Sequence, residues 1–371
     1  MSSFEDSYRS RSVLVTGHTG FKGAWLSQWL TNLGAKVTGY ALDPPTEPNL
    51  FDAIGLRSRI NNVVADVRNA DRLAAEVQAA QPSVIFHLAA RALVLRAYQE
   101  PRDTFETNVM GTVNVLEAAR ACPSVRAVVV VTSDKSYQNP ETGRAFRETD
   151  PVGGRDPYGA SKACAEIVTA AYRESFFTDG AAIASVRAGN VIGGGDWAPD
   201  RIIPDSVRAL TAGEPIVVRN PDAIRPWQHV LEPLSGYLRL GSLLLSDGHD
   251  YAGPWNFGPT DQGSDHPVRW VVERFLREWG SGTWTTPVGS GAQPHEAHLL
   301  SLDSAKAREQ LGWAPVWEAT TAVRRTASWY RDYYETPADA RKLVDDQLAA
   351  YQDDARAAGL SWAADAAGAA T

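Results

Sequence analysis

Ser12-Val13-Leu14-Val15-Thr16-Gly17-His18-Thr19-Gly20-Phe21-Lys22-Gly23 is the stretch that decides the fold. An apolar, β-branched run passes directly into a turn with glycines at 17, 20 and 23, and a helical pattern follows from Ala24 to Leu33. Glycines so placed allow a tight turn, let backbone N–H groups approach a pyrophosphate, and let the helix pack close to its strand. The flanking strand and amphipathic helix, and a second strand from Lys36 to Leu42, supply the context that a lone glycine-rich turn lacks. The reading is dinucleotide binding, with Gly17, Thr19, Gly20, Phe21, Lys22 and Gly23 around the phosphates.

Outward from this turn, strand-like and helical runs alternate as far as Arg187. Strands are expected at Val13–Thr16, Lys36–Leu42, Asn62–Ala65, Ser83–Leu88, Ala127–Thr132 and Ala182–Arg187, and crossover helices at Asp71–Ala80, Pro101–Cys122 and Tyr158–Phe177. That order describes an α/β fold, a Rossmann-type doubly wound parallel sheet. Asp43, twenty residues after Gly23, can accept hydrogen bonds from an adenosine ribose and repel a 2′-phosphate, which favours NAD over NADP; an Asp before Pro44-Pro45 can equally form a turn. Asp66, followed by Val67, meets the adenine edge or caps the next helix.

After Gly189 the texture changes. Gly193-Gly194-Gly195 and prolines at 199, 204, 215, 221 and 226 break the pattern, and tryptophan becomes frequent. The expected organisation is a dinucleotide-binding domain over 11–188, a smaller loop-rich substrate lobe over 189–335 with chain exchange between the two, and a helical tail over 336–371.

The chain has 371 residues, 44% of them hydrophobic, and a formal net charge of -8. Acidic proteins have no general attraction for polyanions, so nucleic acid and anionic membrane are poor partners, and an anionic ligand must be met by local arginines. Cys122 and Cys164 provide neither a disulfide framework nor a zinc ligand set, so no metal is expected and a reducing cytoplasm fits. MSSFEDSYRSRS lacks an apolar core and no run approaches a membrane span.

Tyr158 and Lys162, in Asp-Pro-Tyr-Gly-Ala-Ser-Lys, share one helix face. An ammonium one turn from a phenol favours phenolate, so Lys162 is expected to lower the pKa of Tyr158 and let it deprotonate an alcohol. Asp134-Lys135 closes the fifth strand, where reacting groups belong in an open α/β sheet; a plain ion pair is the alternative.

The Gly17–Gly23 turn, His87-Leu88-Ala89-Ala90, Asn108 in Thr-Asn-Val, Thr132-Ser133-Asp134-Lys135 and Tyr158/Lys162 together resemble the extended short-chain dehydrogenase/reductases. Within them the chain is most similar to the CDP-glucose 4,6-dehydratases, through VTGHTGFKGAWL, TSDKSY, DPYGASK, VRAGNVIGGGDW, IRPWQHVLEPLSGY and PHEAHLL, over about residues 11 to 330. The resemblance implies a lyase acting on a nucleotide sugar. NAD oxidises C4, water leaves across C5–C6, and the hydride returns to C6 for deoxysugar synthesis. It implies Tyr158, Lys162 and Ser133 at the C4 hydroxyl, Lys135 as base and Asp134 as acid for the elimination, with Lys135 made basic by burial or a nearby cation. It also implies Leu88, Ala89, Ala90, Asn108 and Thr132 beside the cofactor, and a homodimer through the helices Pro101–Cys122 and Tyr158–Phe177, with Val109, Val113, Leu116, Ala165, Val168 and Tyr172 as interface candidates. Arg91, Arg187, Asn190, Arg201, Arg225, Trp227 and His295 are the substrate-binding candidates. Arg suits bidentate phosphate contacts and Trp227 or Trp197 suits a base, though each Trp can equally be core. His229 and His295 can equally be structural hydrogen-bonders.

The subfamily usually has Gln-Pro-Leu-Val-Arg after His-Leu-Ala-Ala; this chain has Arg91-Ala92-Leu93-Val94-Leu95-Arg96, which puts a cation where an amide is expected. Two other functions use the same fold: an epimerase, which needs no acid–base pair for elimination, and a non-catalytic NAD(P) sensor, which often lacks the Tyr or the Lys. Asp134-Lys135 counts against the first, Tyr158 with Lys162 against the second.

Overall fold

Seven strands form the central sheet: β1 Ser12–Thr16, β2 Lys36–Ala41, β3 Asn61–Val64, β4 Val84–His87, β5 Ala127–Val131, β6 Ala182–Ala188 and β7 Gly253–Phe257. The computed structural model describes residues 4–141, 143–259, 265–287 and 300–364. The strands lie in the order β3-β2-β1-β4-β5-β6-β7, every neighbour parallel. β4, β5 and β6 are buried along their whole length, which is why they read as continuous apolar runs rather than alternating ones. The order reverses between β1 and β4, so a crevice opens at their carboxyl ends, the usual ligand position in such sheets.

Two elements of residues 189–335 belong to this core. β7 pairs with β6 from Gly253↔Ala184 to Phe257↔Ala188, because Trp255 and Phe257 are buried side chains that need the sheet's cover. The buried helix Leu231–Ser246 joins the same hydrophobic cluster as β5 and β6. Past residue 336, the helix Ala340–Ala357 packs back on the helix Phe21–Asn32. There Gln28 and Asn32 donate to Asp345 at 2.7 and 2.8 Å, and Trp29 meets Tyr351 and Trp362 edge-on.

The single helix expected over Pro101–Cys122 is interrupted. Pro101–Phe105 leads into one wide π turn, Glu106–Met110, before Gly111–Arg120. Such a turn re-aims side chains at functional sites, and here it carries the buried Asn108. Among the described residues no helix is long and apolar enough to cross a membrane.

Candidate active site

The cradle forms where backbone meets backbone. Gly17 has φ +75°, and a Cβ there would lie 2.6 Å from the Ala89 nitrogen; a Cβ on Gly23 would lie 2.1 Å from the Gly17 carbonyl oxygen. Only glycine fits both places, so the turn after β1 nests against the loop after β4 at the switch point. Thr19 donates to the Leu42 carbonyl at 2.9 Å and ties the turn to the end of β2, next to exposed Asp43. These residues fit a dinucleotide pyrophosphate on a helix N-terminus. Asp43 lies 3.4 Å from Arg57. Asp66 is held by its neighbour Arg68 at 2.7 Å, which keeps its carboxyl below the ordinary value. It does not cap the following helix; Asn69 does, by accepting from the Arg72 N–H.

A relay of small side chains fixes the loop after β4. Thr112 donates to the Asn108 carbonyl, so it accepts from His87 Nε2 at 3.2 Å; His87 Nδ1 then accepts from Thr16 at 2.7 Å, and Thr16 accepts from the Ala89 N–H at 3.2 Å. His87 stays neutral, since burial pushes it down to about 3. Asn108 accepts from the Arg91 N–H at 2.8 Å and donates to its carbonyl and to Ser161 on the Tyr158 helix, at 3.1 and 2.8 Å. The Arg91 side chain is held by carboxylates of the protein. Its guanidinium pairs with Glu100 and, at 2.8 Å, with Asp103, because those carboxylates on the neighbouring helix take up the cation.

Ser133, Asp134 and Lys135 open a short 3-10 turn immediately after β5, and Tyr158 and Lys162 occupy the first turns of the helix Pro157–Phe176. Asp156 caps that helix by accepting from the Gly159 N–H at 3.0 Å. Ser133 donates to Asp134 Oδ1 at 2.9 Å, and the Lys135 N–H donates to the same oxygen at 2.9 Å. The other oxygen, Oδ2, is buried and has no hydrogen-bond partner among the described residues. Burial raises Asp134 above the ordinary carboxyl value against the opposing pull of Lys135, Ser133 and Arg225, which favours its neutral, proton-bearing form.

The expected lowering of Tyr158 is not found. Burial pushes its phenol up to about 12, with the Ser133 hydrogen bond opposing. Lys162 is turned to donate to the Val131 carbonyl at 3.0 Å and is itself pushed down to about 8 by burial, with Glu166 opposing. Desolvation, reinforced by the Asp134 and Asp156 carboxylates, sets the direction for Tyr158.

Arg187 is corrected likewise. It is buried in a bidentate ion pair with Glu166, at 2.9 and 2.8 Å, beneath the Tyr158 helix, because a guanidinium inside β6 must be paired where it lies. Thr132 turns its hydroxyl to the same Glu166 rather than to the crevice. Trp227 is a core residue whose indole donates to the His266 carbonyl at 2.9 Å, and Trp197 packs on Trp329, Tyr330 and Tyr333. Arg225, 4% exposed, brings its charge to Asp134, and Arg201, paired with Asp196 at 2.9 Å, brings its charge to Tyr158. Asn190 follows β6, where its carbonyl accepts from the Gln228 N–H at 3.1 Å. His295 lies outside the described residues.

Three groups at the centre had no sequence role there. The Lys22 ammonium lies 6.0 Å from the Tyr237 ring and is pushed down to about 8, by burial and then by Arg201, with Asp134 opposing. Lys22 thus reaches from the glycine turn to Asp134 and Lys162. Tyr237 joins Tyr158 and Asp134 from the helix Leu231–Ser246. Glu166 was legible in principle, four residues beyond Lys162 on one helix face.

Residues 13–244 match the model of the NAD dependent epimerase/dehydratase family. The chain is 46% identical over 331 residues to CDP-glucose 4,6-dehydratase of Salmonella typhimurium, covering 87% of this chain and 91% of that protein. It is 25% identical over 344 residues to dTDP-glucose 4,6-dehydratase of Xanthomonas campestris, covering 85% and 92%. The solved structure of DesIV, a dTDP-glucose 4,6-dehydratase of Streptomyces venezuelae with NAD and TYD bound, matches with TM-score 0.73 and 26% identity over 88% of this chain and 99% of that one. The chain belongs to the NAD dependent epimerase/dehydratase family.

Proposed function

We propose that this chain catalyses the NAD-dependent dehydration of CDP-D-glucose to CDP-4-keto-6-deoxy-D-glucose. The observation that carries the reading is Asp134, a buried carboxyl with a raised pKa and one oxygen without a partner among the described residues, set between Ser133 and Lys135 at the strand end that faces Tyr158. An epimerase has no use for such an acid. The 46% identity to a CDP-glucose 4,6-dehydratase supports the same substrate.

Gly17 to Gly23 would hold the pyrophosphate of NAD, Asp43, Asp66 and Val67 its adenosine, and Leu88 to Ala90 with Asn108 the approach to its nicotinamide, Thr132 serving instead to tie β5 to the Tyr158 helix. NAD supplies a hydride acceptor at C4 and a donor at C6, so the overall reaction is redox-neutral. Tyr158 takes the C4 hydroxyl proton, with Ser133 sharing the hydrogen bond and Lys162 providing the positive charge that favours phenolate. The resulting C4 ketone acidifies C5–H. Lys135 removes that proton, and neutral Asp134 protonates the C6 hydroxyl, which departs as water. Arg201 and Arg225 supply local positive charge for the diphosphate.

Half-exposed Met110, Ile167 and Phe176 on the helical segments Glu106–Met110 and Pro157–Phe176 support a homodimer through this face. Leu116 and Ala165 are buried in the subunit and are not available to it. Incubation with CDP-glucose should generate the absorbance of a 4-keto sugar in base, and light scattering should give twice the chain mass. No chromophore with CDP-glucose, but one with another nucleotide sugar, would move the substrate assignment. A monomer at micromolar concentration with full activity would remove the dimer.

A further inference from the structure

A buried ion pair lies directly under the catalytic helix. Glu166, one turn beyond Lys162, is 5% exposed, and Arg187 is 3% exposed. Buried pairs are a weak source of stability, since apolar residues of similar volume often do as well, so this pair calls for another reason. Its surroundings supply one. Lys162 donates to the Val131 carbonyl and Thr132 donates to Glu166, so consecutive residues at the end of β5 are tied to consecutive turns of the helix. The next residues are Ser133, Asp134 and Lys135. Ser185 donates to the other Glu166 oxygen at 2.7 Å. From Arg187 the network runs on: Nη1 donates to the Tyr137 hydroxyl at 2.7 Å, and Tyr137 donates to Asn256 at 2.8 Å. Tyr137 stands two residues after Lys135 and lines the same small pocket.

We propose that Glu166 is a positioning residue for this reaction: its carboxylate locks the Lys162 helix to the end of β5 and supplies a counter-charge across one helical turn, while Arg187 extends the same anchor to Tyr137 and the Lys135 loop. The proposal rests on the dehydratase reading above. One buried carboxylate then aligns the oxidising half of the site with the eliminating half.

Around Lys162 stand Tyr158 and Glu166 on its own helix, Lys22 from the helix Phe21–Asn32 and His87 at the end of β4; Asp134 after β5 acts on Lys22 and Tyr158, and Arg187 on β6 pairs with Glu166. Lys22 repels the ammonium, His87 is neutral, and Asp134 is biased toward its neutral form. Glu166, held below the ordinary carboxyl value by Arg187, Thr132 and Ser185 against the opposing effect of burial, opposes the loss of the Lys162 proton.

Glu166→Gln removes the charge at nearly constant size. The chain has six lysines, so side-chain nitrogen NMR can follow the Lys162 proton without substrate. Lys162 should lose its proton at a pH lower by about one unit in this variant, and the alkaline limb of kcat should move down by the same interval. Glu166→Asp should restore the limb at reduced kcat, and Ser185→Ala, which deletes a hydrogen bond and no charge, should leave it in place. If Glu166→Gln does not fold, the double variant Glu166→Gln/Arg187→Gln, with neither buried charge, is read in the same way. Unchanged Lys162 titration, or a lower Tm with an unmoved limb, overturns the proposal. Absence of wild-type turnover on CDP-glucose would instead sink the functional reading, because the NMR titration does not depend on substrate.

Discussion

Replacing Asp134 with Asn separates the acid from the base. Oδ1 accepts from Ser133 and from the Lys135 N–H, each at 2.9 Å, and an asparagine carbonyl can keep both bonds. The amide nitrogen takes the place of Oδ2, which has no partner to lose among the described residues. Stability should therefore change by only about 1 kcal/mol, since no hydrogen bond is broken and a buried ionisable group is removed. Catalysis should change far more. Asn cannot deliver a proton to the leaving hydroxyl, and loss of a general acid costs roughly 10²–10⁴-fold, or about 2.7–5.5 kcal/mol of barrier. The assay pairs 4-keto product formation with deuterium uptake at C5 in D2O. Product should fall by that factor while C5 exchange persists, because Lys135 is intact; Lys135→Ala should lose both. Dehydration by the Asn variant at the wild-type rate would remove Asp134 from the chemistry. Loss of C5 exchange as complete as loss of product would make it the base instead.

Tyr158→Phe should lower C4 oxidation by roughly 10²–10⁴-fold with NAD binding by calorimetry unchanged; a rate near wild type would exclude Tyr158 as the proton acceptor. Gly23→Ala places a Cβ 2.1 Å from the Gly17 carbonyl oxygen. At ~1–3 kcal/mol for overpacking, it should weaken NAD by about 5- to 150-fold, checked by equilibrium dialysis, and unaltered affinity would contradict the cradle. Glu232 accepts from the Val316 and Trp317 N–H groups and from Tyr351, at 3.0, 2.7 and 2.7 Å, and burial pushes it from 4.5 up to about 7. The neutral form's stabilisation is present below 4.5 and lost as pH rises through 7. Glu232→Gln should therefore gain on wild type by up to about 3 kcal/mol between pH 4.5 and 8, measured by urea unfolding, and a pH-independent difference would refute this.

Much of the fold was legible because its signals are local. Six of the seven strands stand within one or two residues of their expected positions, since the fully buried central strands must be short, mainly apolar runs and the edge strand β3 keeps the β-branched pair Val63-Val64. β7 was not legible as part of the sheet. Trp255-Asn256-Phe257 lies among prolines and glycines, and only its pairing with β6 gives it a strand's role. The π turn at Asn108 was invisible for a related reason: the helical pattern continues through it, and the extra residue shows only in how the side chain is aimed. At the site, residue types and spacings placed Ser133, Asp134, Lys135, Tyr158 and Lys162 at two chain positions that parallel α/β topology brings together. Arg91 and Arg187 are held by Glu100, Asp103 and Glu166, which residue type alone does not reveal, because a guanidinium serves a carboxylate of the protein as readily as a phosphate of a ligand.

By itself the sequence determined the sheet, the glycine turn after β1 and the placing of Ser133, Asp134, Lys135, Tyr158 and Lys162 at a strand end and on the helix beside it. Backbone sterics at Gly17 and Gly23, apolar runs and helical spacing act between neighbours in the chain. The tertiary structure alone decided which charges are available. Burial raised Tyr158 and Asp134 and lowered Lys162 and Lys22. It also spent Arg91 on Glu100 and Asp103, and Arg187 on Glu166. Desolvation and ion pairing depend on what surrounds a group in space, and those neighbours come from strands and helices far apart in the chain.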